Sequence, residues 1–382
     1  MAWGEKLNRL DTESSGRDNN FNLIRIVAAA LVLASHAWPM TYGRAVPEPL
    51  EAYTNYSLGE LAVYVFFGLS GYLITGSYLR TKDPVQFIKA RALRLFPGLA
   101  VSLALVGFVM GPMVTTFPPI EYLLNSRTWL AFLRNLTLFS NQFGLPGVFK
   151  ENLNPGVQGS IWTLKYEVGC YLMVLILGRS GLLYRGWPMV FLAVFATVGW
   201  MVLLPYSTPP ASKLFLPFEL ALPFVIGMAF WIWRDAIPLN MLVLVALACV
   251  AFAFLQARFT YPILVVFLIY GTLWFAYRPR GLIRAYNRVG DYSYGTYIYA
   301  WPLQELVVWL WHPATPLIHI ALALPLTLVA AVLSWHLIER PALAVLRRMR
   351  QAHQIDVKDR VDHPVEAVFD ARVGADGAGE TL

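Results

Sequence analysis

The sequence predicts an all-α integral membrane protein, a polytopic helical bundle of about ten transmembrane helices with both termini cytosolic. Three observations predict this class. Of the 382 residues, 57% are hydrophobic and only 14% charged, against roughly 45–50% and roughly 25% in soluble domains. The apolar residues gather into runs of about 20, the length that crosses a hydrocarbon core of about 30 Å. Lys and Arg gather in alternate connections, 22 on one side and 6 on the other, with Arg25 and Lys165 inside runs. That asymmetry places the N-terminus inside. The 13 Trp, 19 Tyr and 23 Phe suit interfacial aromatic belts.

The runs are Phe21–Met40, Leu58–Leu79, Leu95–Val114, Ser160–Leu177, Trp187–Leu204, Leu214–Trp233, Leu239–Leu255, Tyr261–Tyr277, Tyr292–Trp311 and Leu317–Ile338. Residues 1–20 read as a polar cytosolic N-terminus, 21–341 as the membrane domain, and 342–382 as a charged, Gly- and Ala-rich tail without apolar period, expected to be disordered. Ala34-Ser35-His36-Ala37 has the small residues of a cleavage site, but a bulky Trp38-Pro39 follows it and the run contains an Arg. The first run therefore reads as a retained span. Thr128–Phe139 is apolar but too short to span, and belongs at the interface or in a re-entrant segment. The long outer connection, Thr115 to Gly159, is rich in Pro, Gly and Asn and is placed to cover a site. Cys170 and Cys249 each sit in an apolar run, so no disulfide is expected. The net charge of +7 follows topology and forms no nucleic-acid patch. No metal site is expected.

Charge is costly inside a bilayer, so ionisable groups within runs mark function. Arg25 and His36 are 11 residues apart, about three full turns, and share one helix face about 16 Å apart along the axis. Such a face can link a cytosolic donor to an outer acceptor. Ser160, Thr163, Glu167 and Cys170 fall on one stripe of the fourth run, which should face the bundle interior. Glu167 is expected near the depth of His36. A carboxylate beside an imidazole fixes its tautomer and raises its basicity, which suits a general base. In Phe87–Pro97, an inner loop by this reading, Lys89, Arg91 and Arg94 sit at the cytosolic edge of the third run. Arg91 and Arg94, three residues apart, can grip a phosphate. Small residues within Phe66–Tyr72 suit close helix packing. Glu219 and Glu305 are further acids within runs, without an assigned role.

Taken in order, these motifs resemble the acyltransferase-3 family of bacterial membrane acyltransferases, over about Asn20 to Pro341. Arg25 and His36 match its Arg-x10-His pattern. Phe66-Phe67-Gly68-Leu69-Ser70-Gly71 looks like its Phe-Phe-x-x-Ser-Gly signature, and Arg91-Ala92-Leu93-Arg94-Leu95-Phe96-Pro97 like its basic segment. Leu145–Phe149 and Gly159–Glu167 resemble the stretch through its Trp-Thr-Leu-x-x-Glu motif. Gly290–Gly295 and Ile338–Pro341 resemble its late landmarks. The chain departs from the family at Ala300-Trp301-Pro302, where many members have His-Trp-Pro, and at Gln158, where Asn is frequent. These departures leave acceptor choice open. No hydrolase-like domain follows the membrane region, so direct transfer or a separate partner is expected.

The resemblance implies O-acylation, most often O-acetylation, at the inner membrane. The donor would be cytosolic acyl-CoA, here acetyl-CoA, as a co-substrate, with no permanently bound cofactor. The acceptor would be a hydroxyl of a surface or exported polysaccharide or lipid-linked glycan. Membrane lipid is the further partner expected, and nucleic acid is excluded. On this reading His36 and Glu167 are catalytic, and Arg25, Arg91, Arg94 and Lys89 bind the donor. Ser70, Ser160, Trp162 and Tyr166 line the acceptor site. The rival reading is a transporter or saccharide exporter without chemistry of its own.

Overall fold

The computed structural model describes residues 9–14, 18–138, 141–207, 212–257, 259–346 and 348–349. Of the expected tail 342–382, residues 347 and 350–382 lie outside the described residues, as do most of the polar N-terminus and Phe139; residues 342–346 are helical rather than disordered. No strand forms among the described residues. Eight helices there are long and apolar enough to cross a membrane. They are α1 (Phe21–Tyr42), α2 (Leu58–Thr81), α3 (Pro84–Val114), α5 (Gly159–Arg179), α6 (Trp187–Tyr206), α7 (Lys213–Ile232), α9 (Thr260–Tyr277) and α11 (Pro316–Leu346). Between them lie α4 (Ser126–Thr137), α8 (Met241–Ala253) and α10 (Ser293–Trp311). The protein is a polytopic helical membrane protein.

Two of the ten expected spans stand apart from those eight. Helix α8 has only 13 residues, short of the ~20 that span a core. Helix α10 is long enough at 19 residues but carries Gln304 and Glu305, which the bundle buries. Its neighbours α1 and α11 shelter it from lipid. Outward-facing Val190, Phe191, Val194 and Phe195 on α6 show the opposite habit, as expected of a lipid-facing surface.

Helix starts follow local chemistry. Helix α2 opens on a capping box in which Ser57 Oγ accepts from the Glu60 N–H at 3.1 Å and Glu60 accepts from the Ser57 N–H at 2.7 Å. Helix α3 opens on Asp83, whose carboxylate accepts from the Val85 and Gln86 N–H groups, with Pro84 as first helical residue. This corrects the boundary at Leu95. The segment Phe87–Pro97 is helical, because a cap and a favourable Pro begin the helix three turns earlier than the apolar run does. Helix α5 begins with a 3-10 stretch over Gly159–Thr163.

Helices α2 and α7 meet through glycines. A Cβ on Gly71 would lie 2.0 Å from the Phe224 carbonyl oxygen, and one on Gly227 would lie 2.0 Å from that of Gly68. Only a missing side chain allows the backbones this close, which gives the small residues of Phe66–Tyr72 the packing role expected of them. A π-helical stretch at Leu105–Met110 interrupts α3, and the Gly107 carbonyl there accepts from the Tyr122 hydroxyl at 2.8 Å. Tyr122 thus ties the connection after α3 to the bundle. The apolar stretch expected not to span is α4, which packs along α3 and leaves Trp129, Leu130 and Leu133 exposed. Both cysteines are free thiols.

Candidate active site

Three cavities lie in series along the bundle, from the end where α1 begins to the end where it finishes. The first has a volume of about 320 Å³ and is lined by α1, α2, α3, α5 and α10 with the C-terminal part of α11. It holds Arg25, Arg91, Arg94, Ser70, Glu167, Tyr171 and Asp291. The second, about 390 Å³, holds His36 with Glu60, Glu219 and Trp162. The third, about 440 Å³, lies under the connection 141–158 and holds Arg44, Asn154, Trp162 and Trp301. Val63 and Tyr297 line both the first and second cavities, and Trp162 both the second and third.

The arginines of the first cavity are not equivalent. Arg25 Nη1 lies 2.8 Å from Asp291 Oδ2, and Arg94 Nη2 lies 2.6 Å from the same oxygen. Arg94 Nη1 also reaches Glu339 at 3.3 Å. Asp291 precedes α10, where its other oxygen accepts from the Ser293 hydroxyl and N–H. Burial pushes the Asp291 carboxyl up, but Arg94 and Arg25 outweigh it and hold the pKa at about 2. Arg91 has no ion pair among the described residues. Its guanidinium stands 5.9 Å from the Tyr171 ring centre, and its Nε is buried without a hydrogen-bond partner. Arg91 is therefore the cation best placed to take an incoming anion. Lys89 is exposed and outside the lining, because the one-turn periodicity that turns Ala90, Arg91 and Arg94 inward turns it away.

Glu167 belongs to this cavity rather than to that of His36. It accepts from Ser70 at 3.2 Å and from the Tyr171 hydroxyl. The expected pairing of His36 with Glu167 is thus not formed. The 3-10 start of α5 contributes to this displacement, since a 3-10 turn rises about 2.0 Å per residue against 1.5 Å, carrying Glu167 deeper toward Arg25. The stripe itself is as read: Ser160, Thr163 and Cys170 are buried, and Glu167 opens onto the cavity.

His36 packs edge-on against Trp301, with ring centres 4.7 Å apart. Its Nδ1 has no hydrogen-bond partner, so the imidazole is not committed to holding the fold. Trp301 also donates to the Gly156 carbonyl at 2.6 Å, and its indole lies where a Cβ on Gly159 would stand. Among the expected lining residues, Ser70 lines the first cavity and Trp162 the second and third. Ser160 is buried with an unpartnered hydroxyl outside these linings. Tyr166 lies against Trp162 and under the Lys165 ammonium rather than in a lining.

The covering connection is tied down from three sides. Asn154 donates to the Pro39 carbonyl at 2.6 Å and accepts from Arg44 at 3.1 Å. Asn152 donates to the Glu305 carboxylate at 2.7 Å, which explains one of the unassigned acids. Sequence reasoning missed Asp291 and Glu339 as site residues. Both stood inside quoted landmarks, and the signal that could have found them was charge. Two acids at the basic ends of helices need cations nearby.

An acyltransferase-domain profile matches residues 18–336, so the class of this membrane bundle is that of an acyltransferase. The chain belongs to the acyltransferase-3 family. It is 27% identical over 342 residues to the O-acetyl transferase of Shigella phage Sf6, covering 85% of this chain and 96% of that protein. It is 26% identical over 392 residues to Nodulation protein 10 of Rhizobium leguminosarum bv. viciae, covering 90% of this chain and 98% of that one. No solved structure matches. With its family and its apolar helices in agreement, the protein is an acyltransferase of the membrane.

Proposed function

We propose that the protein moves an acetyl group from cytosolic acetyl-CoA to a hydroxyl of a surface or exported saccharide, across the inner membrane, with both termini in the cytosol. The observation that carries this reading is the series of cavities, basic at one end and imidazole-bearing beyond it, which share Val63 and Tyr297 in their linings. The donor enters the first cavity, where Arg91 meets a phosphate group and Lys89 adds positive charge outside the mouth. Arg25, already fixed by Asp291, borders the path of the pantetheine arm. The thioester reaches Val63 and Tyr297, and the acceptor hydroxyl comes to it from the His36 side.

His36 takes the proton of the hydroxyl as its oxygen attacks the thioester carbonyl carbon. A C–O bond forms and the C–S bond breaks. The thiolate leaves on CoA and receives the proton. Glu167 lies on the donor side, where with Ser70 and Tyr171 it shapes the cavity beside the arginines. The O-acetyl transferase relative supports acetyl as the group moved.

The test is transfer by the purified chain from labelled acetyl-CoA to an acceptor glycan. General-base help contributes typically ~10²–10⁴-fold, and His36→Ala should lower transfer by about that factor while expression holds. Label that stays on CoA with every acceptor would defeat the reading. A His36→Ala protein working at the normal rate would remove the imidazole from the chemistry.

A further inference from the structure

The cavity around His36 has an electrical character opposite to that of the donor cavity. Its lining carries two carboxylates, Glu60 and Glu219, and neither Lys nor Arg, whereas the donor cavity sets three arginines against Glu167 and Asp291. Glu219 is the unexpected one. It sits two turns into the apolar α7, where a carboxylate is costly and persists when it has a partner or a task. Its protein partner is the Tyr64 hydroxyl, which donates to Oε1 at 2.6 Å. No cation pairs with Glu219 among the described residues, and its other oxygen receives no hydrogen bond there. Glu60 is partly spent on capping α2 through one oxygen. His36 Nδ1 is also unpartnered. Trp162 forms one wall.

These groups suit one kind of ligand. A carboxylate only accepts hydrogen bonds and can take two donors at once, as adjacent sugar hydroxyls supply. The flat indole offers an apolar face for the C–H side of a sugar ring. A third carboxylate, or a phosphate or sulfate, brought among two acids in a medium less polar than water is repelled. We propose that the sugar residue acylated by this protein is uncharged, and that Glu219 selects it by accepting hydrogen bonds from its hydroxyls beside His36. The inference rests on the transfer reading above. It concerns only the residue that occupies this cavity. The neighbouring residue of the acceptor passes Trp162 into the third cavity, where Arg44 stands and negative charge is tolerated.

The experiment uses the full chain in detergent with labelled acetyl-CoA and an equimolar mixture of neutral hexose and N-acetylhexosamine oligosaccharides with uronate oligomers. Mass analysis of the labelled products locates the acetyl group. Label should fall on uncharged residues. Glu219→Gln should raise the KM for the neutral acceptor about ten-fold or more, the loss typical of a hydrogen bond to a charged group, and leave acetyl-CoA affinity unchanged. Label on uronate residues, or an unchanged acceptor KM in Glu219→Gln, overturns the proposal while leaving acyl transfer intact. A chain that binds acetyl-CoA and labels nothing refutes the transfer reading itself, and this inference with it. The product analysis needs no variant, so it stands if Glu219→Gln does not fold.

Discussion

Arg91 and Arg94 are one helical turn apart on α3, and their surroundings assign them different work. Arg94 is 12% exposed and neutralises Asp291 and Glu339, themselves 12% and 2% exposed. Removing one member of a buried charge cluster leaves an uncompensated charge and costs about 3–5 kcal/mol. Arg94→Ala should therefore lower the melting temperature in detergent sharply, before any effect on the donor is considered. Arg91→Ala abandons no paired acid. It should fold with nearly normal stability and bind acetyl-CoA more weakly by about ten-fold, the scale of one charge-assisted hydrogen bond. Calorimetry of both variants separates the two roles. Equal losses of stability would show that Arg91 is as structural as its neighbour.

At the scale of elements, the glycine crossing of α2 and α7 sets the frame of the site, because it holds Ser70 opposite Glu167 and Glu219 beside Tyr64. Gly71→Ala puts a methyl group 2.0 Å from a backbone oxygen. Overpacking of this kind costs typically about 1–3 kcal/mol, and a lower melting temperature in detergent should follow. Gly169→Ala is the control, since nothing lies within 4 Å of its added Cβ and alanine favours the helix by about 1 kcal/mol. A Gly71→Ala protein as stable as that control would mean the two helices are free to separate.

Much of this architecture was legible in the sequence. Apolar runs about 20 residues long mark eight of the helices to within a few residues at most ends. The Arg25–His36 spacing was legible because an α-helix has a fixed period, and both residues do face the interior, each in its own cavity. What escaped is what a period cannot encode. The early start of α3 depends on the Asp83 cap and not on hydrophobicity. The depth of Glu167 depends on a short 3-10 stretch that composition does not reveal. Asp291 and Glu339 became visible only when α10 and α11 brought them to Arg94.

For the whole molecule, the order of the cavities matters more than any one of them. Substrates are expected from opposite faces, and on the proposed reading they meet where Val63 and Tyr297 line both cavities. Tyr297 is held there by a hydrogen bond shared with Thr163 at 2.5 Å. That junction has a duty beyond catalysis. A bundle hollowed from both ends is nearly a pore, and an energised bilayer tolerates no pore. The tyrosine that lines both cavities is expected to serve as the permeability barrier. Proteoliposomes carrying Tyr297→Ala should lose an imposed proton gradient faster than those with the unaltered chain. Tyr297→Phe, which keeps the bulk and gives up a hydrogen bond worth about 1 kcal/mol, should stay sealed. If both variants hold the gradient, the seal lies elsewhere. If Tyr297 is the seal, the enzyme can widen the passage for its thioester only as far as ion tightness allows.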